Sequence, residues 1–202
     1  TPNNTIIESN IINNYYGVYY EVSNKNIIVG NNITNNFIGI MLSFSHNNNI
    51  SRNNILNNTN FGIEVVGSDN IFYNNNISGS GLGVIIIIGS NNNKFYHNNF
   101  IGNTFHASIP TASSNIWDDG YPSGGNYWDD FEERYPDVED VYSGLFQNET
   151  GSDGIWDHPY LVDANDVDYY PLVPEFPSGI IIPLFMIATL LAVIVYRRKH
   201  SI

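Results

Sequence analysis

The sequence predicts an all-β chain: a right-handed parallel β-helix of about five coils, each about 22 residues long, then an irregular acidic cap and one C-terminal transmembrane helix. Three observations predict this. Asn10, Asn32, Asn54, Asn76 and Asn99, each followed by Ile or Phe, recur at a solenoid spacing. Near Ala107 the Asn-Ile alternation gives way to Trp, Tyr, Asp, Pro and Gly. Residues 179–196 carry no charge and run straight into Arg197, Arg198 and Lys199.

The repeats occupy residues 1–106. Ile6, Ile28, Ile50, Phe72 and Phe95 lie four residues ahead of the Asn positions and form the expected interior apolar column. Gly17, Gly39, Gly62 and Gly83 mark a second column, which slips by one residue near Thr59-Asn60. Short β-branched runs such as Ile27-Ile28-Val29 suit strands that alternate in and out, with Asn and Gly supplying the positive-φ corners. Leucine-rich repeats need Leu at fixed offsets, and helical repeats need Ala, Leu, Glu and Lys; neither pattern is present. The Asn column itself (Asn10, Asn32, Asn54, Asn76, Asn99) is expected to form a ladder of side-chain amides at a turn. Five coils leave open edges, so further coils are expected ahead of Thr1.

Composition excludes several functions. Against 20 Asp+Glu there are 7 Lys+Arg, a formal charge of -13, an imbalance that argues against a nucleic-acid binder, which needs cationic side chains to displace counterions from phosphate. The chain has no cysteine, which removes disulfides, thiolate metal sites and Cys nucleophiles.

The cap is expected over residues 107–172. Its string Asn115-Ile116-Trp117-Asp118-Asp119-Gly120-Tyr121-Pro122-Ser123-Gly124-Gly125-Asn126-Tyr127-Trp128, placed after repeats of this kind, resembles the NosD-type β-helix proteins of archaeal cell surfaces. The resemblance covers roughly residues 1–172. Its usual Asp/Asn-rich loop is kept at Asp153, Gly154, Ile155, Asp157, Pro159 and Tyr160 but departs at Glu149 and Gly151. Its close is kept at Asp163, Asn165, Asp166, Asp168, Tyr170, Pro171 and Leu172. Glu149, Asp153 and Asp157 fall at positions one, five and nine of a calcium-type turn with Gly154 at six; Asp163 and Asp166 are further candidate ligands. The alternative is a solvated acidic loop. The Trp and Tyr residues are expected to close the apolar end of the rod; a sugar-stacking platform is the alternative.

Residues 173–178 form a linker, 179–196 the span and 197–202 a basic tail. Eighteen helical residues at about 1.5 Å each just cross the hydrocarbon core, and the positive-inside rule places the tail in the cytoplasm and the β-helix outside. Pro174-Glu175-Phe176 ahead of the span resembles archaeosortase signals, which implies cleavage and transfer to a lipid anchor; permanent anchoring is the alternative. Asn3, Asn49, Asn57 and Asn148 are glycosylation acceptors by pattern, whereas Asn32 and Asn76 are expected to be hidden in the ladder.

Three functions compete. The first is an anchored extracellular module at the cell membrane with a structural, adhesive or carbohydrate-binding role, its partner a saccharide or surface lattice. The second is a polysaccharide lyase or epimerase, for which Lys25, Arg52, Lys94, Glu8, Glu64 and Asp69 are the available charges; Glu8 and Arg52 share a column about two coils apart, roughly 10 Å, too far for a direct pair. The third is copper handling, implied by the resemblance, but of His46, His97 and His106 only His97 and His106 are placed to approach each other, and Met41 stands alone.

Overall fold

The computed structural model describes residues 3–109, 113–163 and 165–174. They form a parallel β-solenoid whose coils each contribute three strands. The first coil has β1 (Thr5–Ile7), β2 (Asn10–Ile12) and β3 (Tyr16–Glu21); the second β4 (Ile27–Val29), β5 (Asn32–Thr34) and β6 (Ile38–Ser43). The third has β7 (Asn49–Ser51), β8 (Asn54–Leu56) and β9 (Phe61–Val66); the fourth β10 (Ile71–Tyr73), β11 (Asn76–Ser78) and β12 (Leu82–Ile86); the fifth β13 (Lys94–Tyr96), β14 (Asn99–Ile101) and β15 (Phe105–Ser108). Equivalent strands pair in parallel into three sheets. Ile28 lies beside Ile50, and Ile50 beside Phe72, on the 22-residue step. The extra residue falls between β8 and β9, since Asn54 pairs with Asn32 but Phe61 pairs with Ile38.

Alternation decides what is inside. Ile28, Ile50, Phe72 and Phe95 have no exposed surface, and Ile6 is partly buried. A second column runs through Ile33, Ile55, Ile77 and Phe100. Each fully buried side chain of this size contributes about 1.5–3 kcal/mol by leaving water. Toward the last coil the columns thicken from Ile to Phe to Trp: Trp117 stacks on Phe95 at 4.4 Å, and Trp128 stacks on Phe100 at 4.3 Å. The aromatic residues thus plug the rod, as expected of the cap.

The Asn ladder is displaced from its expected place. Asn10, Asn32, Asn54, Asn76 and Asn99 open the strands β2, β5, β8, β11 and β14, each beside an inward Ile or Phe, so alternation turns them outward. Among them, Asn32 Nδ2 donates to Asn10 Oδ1 at 2.9 Å. Asn32 is exposed rather than hidden, and Asn76 is half-buried. The buried ladder runs one residue earlier, through Asn31, Asn53, Asn75, Asn98 and Asn126. From Asn53 onward each amide oxygen accepts both the backbone N–H and the Nδ2–H of the Asn one coil before it, at 2.9–3.1 Å. A parallel ladder links Asn26, Asn48, Asn70, Asn93 and Asn115. The residues ahead of the first ladder, Glu8, Gly30, Arg52, Asn74 and His97, all hold φ between 45° and 69°. The column shared by Glu8 and Arg52 is therefore a left-handed corner, a conformational requirement that keeps the solenoid turning.

The solenoid continues past residue 106, beyond the expected boundary. Ile116 bridges Lys94, and β16 (Tyr127–Trp128) pairs with β14, so residues 113–128 supply a partial sixth coil. After it come a single-turn helix α1 (Phe131–Arg134) and two short antiparallel pairs, β17 (Tyr142–Ser143) with β18 (Glu149–Thr150) and β19 (Tyr160–Leu161) with β20 (Val167–Asp168). Among the described residues no helix is long and apolar enough to cross a membrane. The charge-free run 179–196 lies outside the described residues, as do Glu175, Phe176, Arg197, Arg198 and Lys199.

Candidate functional site: a cleft between the last coil and the cap

An ordinary rung passes its hydrogen bonds to the next one. The last rungs need an acceptor that passes nothing on, and two aspartates supply it. Asp166 Oδ1 accepts the Asn115 N–H at 2.7 Å and the Trp117 indole N–H at 3.3 Å. Asp168 Oδ2 accepts the Asn126 N–H at 2.7 Å and the Trp128 indole N–H at 2.9 Å. Burial raises both carboxyl groups against the pull of these donors, Asp168 to about 7. These residues terminate the solenoid.

The Gly column leads to the cleft. A Cβ on Gly17, Gly39, Gly62 or Gly83 would fall 2.5–2.6 Å from the carbonyl oxygen of the column's next member, so backbone would have to shift to admit it. Glycine is required here by space, because the Cβ direction points at the following coil. The next member is His106, since Leu82 pairs with Phe105 and Val84 with Ala107. Among the described residues no complete coil follows it. Its imidazole extends past the end of the last coil, buried except for 7% of its surface, and meets Asp129 and Asp130. Nε2 lies 2.9 Å from Asp129 Oδ1 and 3.3 Å from Asp130 Oδ1.

Both carboxylates accept further hydrogen bonds. The Gly102 N–H donates to Asp129 Oδ2 at 2.7 Å, and the Tyr160 hydroxyl donates to Asp130 Oδ1 at 3.0 Å. Burial acts to raise the Asp130 carboxyl; His106, Tyr160 and Arg134 outweigh it and hold the group below the ordinary carboxylate range. Burial beside Asp130 drives the Tyr160 phenol well above its usual value, so it stays protonated and remains a donor. Arg134 lies 3.9 Å from Asp130 Oδ2, with its guanidinium over the Tyr160 ring. Together with Thr104, Phe105 and Glu133 these groups line an open cleft of about 760 Å³, in which Phe105 is 68% exposed.

The expected calcium ligands are arranged differently. No three of Glu149, Asp153, Asp157, Asp163 and Asp166 gather around one point; among the described residues the one such set is His106, Asp129 and Asp130. Asp153 accepts from Ile155 N–H and the Gln147 side chain, while Asp157 accepts from the backbone of Val141 and Tyr142. Asp140, in no expected set, accepts the Ser152 hydroxyl and the Asp153 and Gly154 N–H groups, shaping the loop whose spacing suggests a calcium turn. Asp166 is committed to the ladder. His97 is turned to Ser123 and not to His106. His106 is within reach of sequence reasoning, because it breaks a glycine column; its acidic partners are not.

The model of the family described as periplasmic copper-binding protein (NosD) matches residues 1–133, which include the five coils, His106, Asp129 and Asp130. The chain belongs to the NosD family. No curated protein and no solved structure matches it significantly. As a NosD-family β-helix the chain is a periplasmic or extracellular module.

Proposed function

We propose that the chain is a surface-displayed β-helix module, anchored through residues 179–196, that binds saccharide in the cleft below its last coil. The observation that carries this reading is the cleft's lining. An exposed Phe105 ring offers a face for sugar C–H groups, and Asp129, Glu133 and Arg134 offer acceptors and donors for hydroxyls on a rigid frame. The uncharged run before Arg197, Arg198 and Lys199 supports the anchor, and Pro174-Glu175-Phe176 supports processing by an archaeosortase-like enzyme. Screening the purified chain against a panel of neutral and acidic oligosaccharides tests the proposal. Binding is expected to be lost in Phe105→Ala and weakened in Glu133→Gln. A panel without a binder, or a binder indifferent to Phe105→Ala, refutes it.

Copper comes to this chain from the family's description, and its residues fit cuprous copper poorly. The chain has no cysteine, and Met41 lies on the outer face of β6, beside Tyr19 and Glu64 in the neighbouring coils. The donors that do converge are one imidazole and two carboxylates, which suit harder divalent ions.

A further inference from the structure

We infer that His106 Nε2, Asp129 Oδ1 and Asp130 Oδ1 hold a divalent cation of the zinc or manganese type at the floor of the cleft. The three atoms lie within 4.8 Å of one another, close enough to share one ion at ordinary bond lengths. Their carriers are rigid. His106 projects from a paired strand, Asp129 continues the strand pairing with its N–H on the Phe100 carbonyl, and Asp130 stands at the start of α1. The Gly102 N–H holds the second oxygen of Asp129, and the Tyr160 hydroxyl lies 3.0 Å from Asp130 Oδ1 and 3.3 Å from Oδ2, outer contacts of the kind that orient a metal ligand. One nitrogen and two oxygens with an open side toward the cleft match a site that keeps positions free for water or a bound hydroxyl. Arg134 is the one nearby cation among the described cleft residues, and it sits at the far oxygen of Asp130, stacked on Tyr160.

A bare ion pair of His106 with the two aspartates is the competing account, and the experiment separates the two. The inference rests on the cleft being a ligand site, not on its ligand being a saccharide, so the metal is titrated alone. The full chain, freed of metal with a chelator, is titrated with zinc chloride by calorimetry and with cobalt(II) by visible absorption; calcium and magnesium chloride serve as controls for charge screening. One zinc per chain is expected, with a cobalt spectrum that reports nitrogen and oxygen ligation. Affinity is expected to fall by about tenfold or more in His106→Gln and in Asp129→Asn, and to rise in Arg134→Gln, which removes a neighbouring positive charge. Melting curves of each variant show whether the coils remain folded, and Asp129→Asn decides the matter if His106→Gln does not fold. Absence of a one-to-one zinc isotherm overturns the inference, as does unchanged binding in a folded His106→Gln or Asp129→Asn variant, or equal responses to zinc and magnesium. Saccharide binding that survives the chelator keeps the saccharide reading while removing the metal from it. Zinc binding without any saccharide keeps the metal site alone.

Discussion

Replacing Asp168 by asparagine changes how the fold responds to pH, and the size of the change follows from the site. Asp168 has no exposed surface, and its carboxyl is pushed by burial from 3.8 to about 7. Folded Asp168 therefore binds its proton more tightly than unfolded Asp168. Its contribution to stability is fully present below about pH 4 and is lost as the pH rises through about 7. At about 1.4 kcal/mol for each tenfold in proton affinity, the loss is on the order of 4 kcal/mol. Screening does not discount it, because the group is buried. The substituted amide keeps an oxygen for the Asn126 and Trp128 N–H groups, but its NH2 opposes the Tyr170 N–H that donates to Asp168 Oδ1, a fixed cost of about 1 kcal/mol. Asp168→Asn should thus be less stable than the wild type near pH 4 and more stable near pH 8. Urea unfolding followed by tryptophan fluorescence, at half-unit pH steps from 4 to 8, measures the difference; comparing the two proteins cancels the other carboxylates. Curves that stay parallel across the range would refute the reasoning.

Adjacent asparagines should behave oppositely. Asn53→Ala strips the acceptor from Asn31 N–H and Nδ2–H, at about 1–3 kcal/mol for each stranded donor, whereas Asn54→Ala on the outer face should stay within about 0.5 kcal/mol; denaturant midpoints compare them. Gly39→Ala puts a methyl 2.5 Å from the Gly62 carbonyl oxygen and should cost about 1–3 kcal/mol, seen as a drop in melting temperature. Phe72→Ala opens a gap beneath Phe95, whose ring stacks on it at 4.4 Å, and should cost about 3–5 kcal/mol by the same melt; a variant that melts with the wild type would misplace the interior column.

Residue by residue, the sequence carries the periodic part of this protein. A solenoid repeats one local solution, so the 22-residue step, the interior column from Ile6 to Phe95 and the inserted residue near Thr59-Asn60 are all legible as sequence spacing. The Asn ladder is nearly legible: two adjacent asparagines occur in most coils, and strand alternation beside the inward Ile or Phe selects the earlier one. The glycine column is also visible, although the reason for it is a neighbouring carbonyl that belongs to the next coil. What ends the repeat is settled only in three dimensions. Asp166 lies 51 residues from Asn115, and Asp168 lies 42 from Asn126, with no period joining either pair. The same holds for the cleft: His106 departs from its column, but its meeting with Asp129 and Asp130, and the bond of Tyr160 to Asp130, depend on how the chain folds back under the last coil. Periodicity fixes contacts between equivalent residues because each coil stacks on a copy of itself. At the end of the rod that symmetry stops, and the remaining hydrogen bonds and charges must be met by residues whose positions only the packed chain determines.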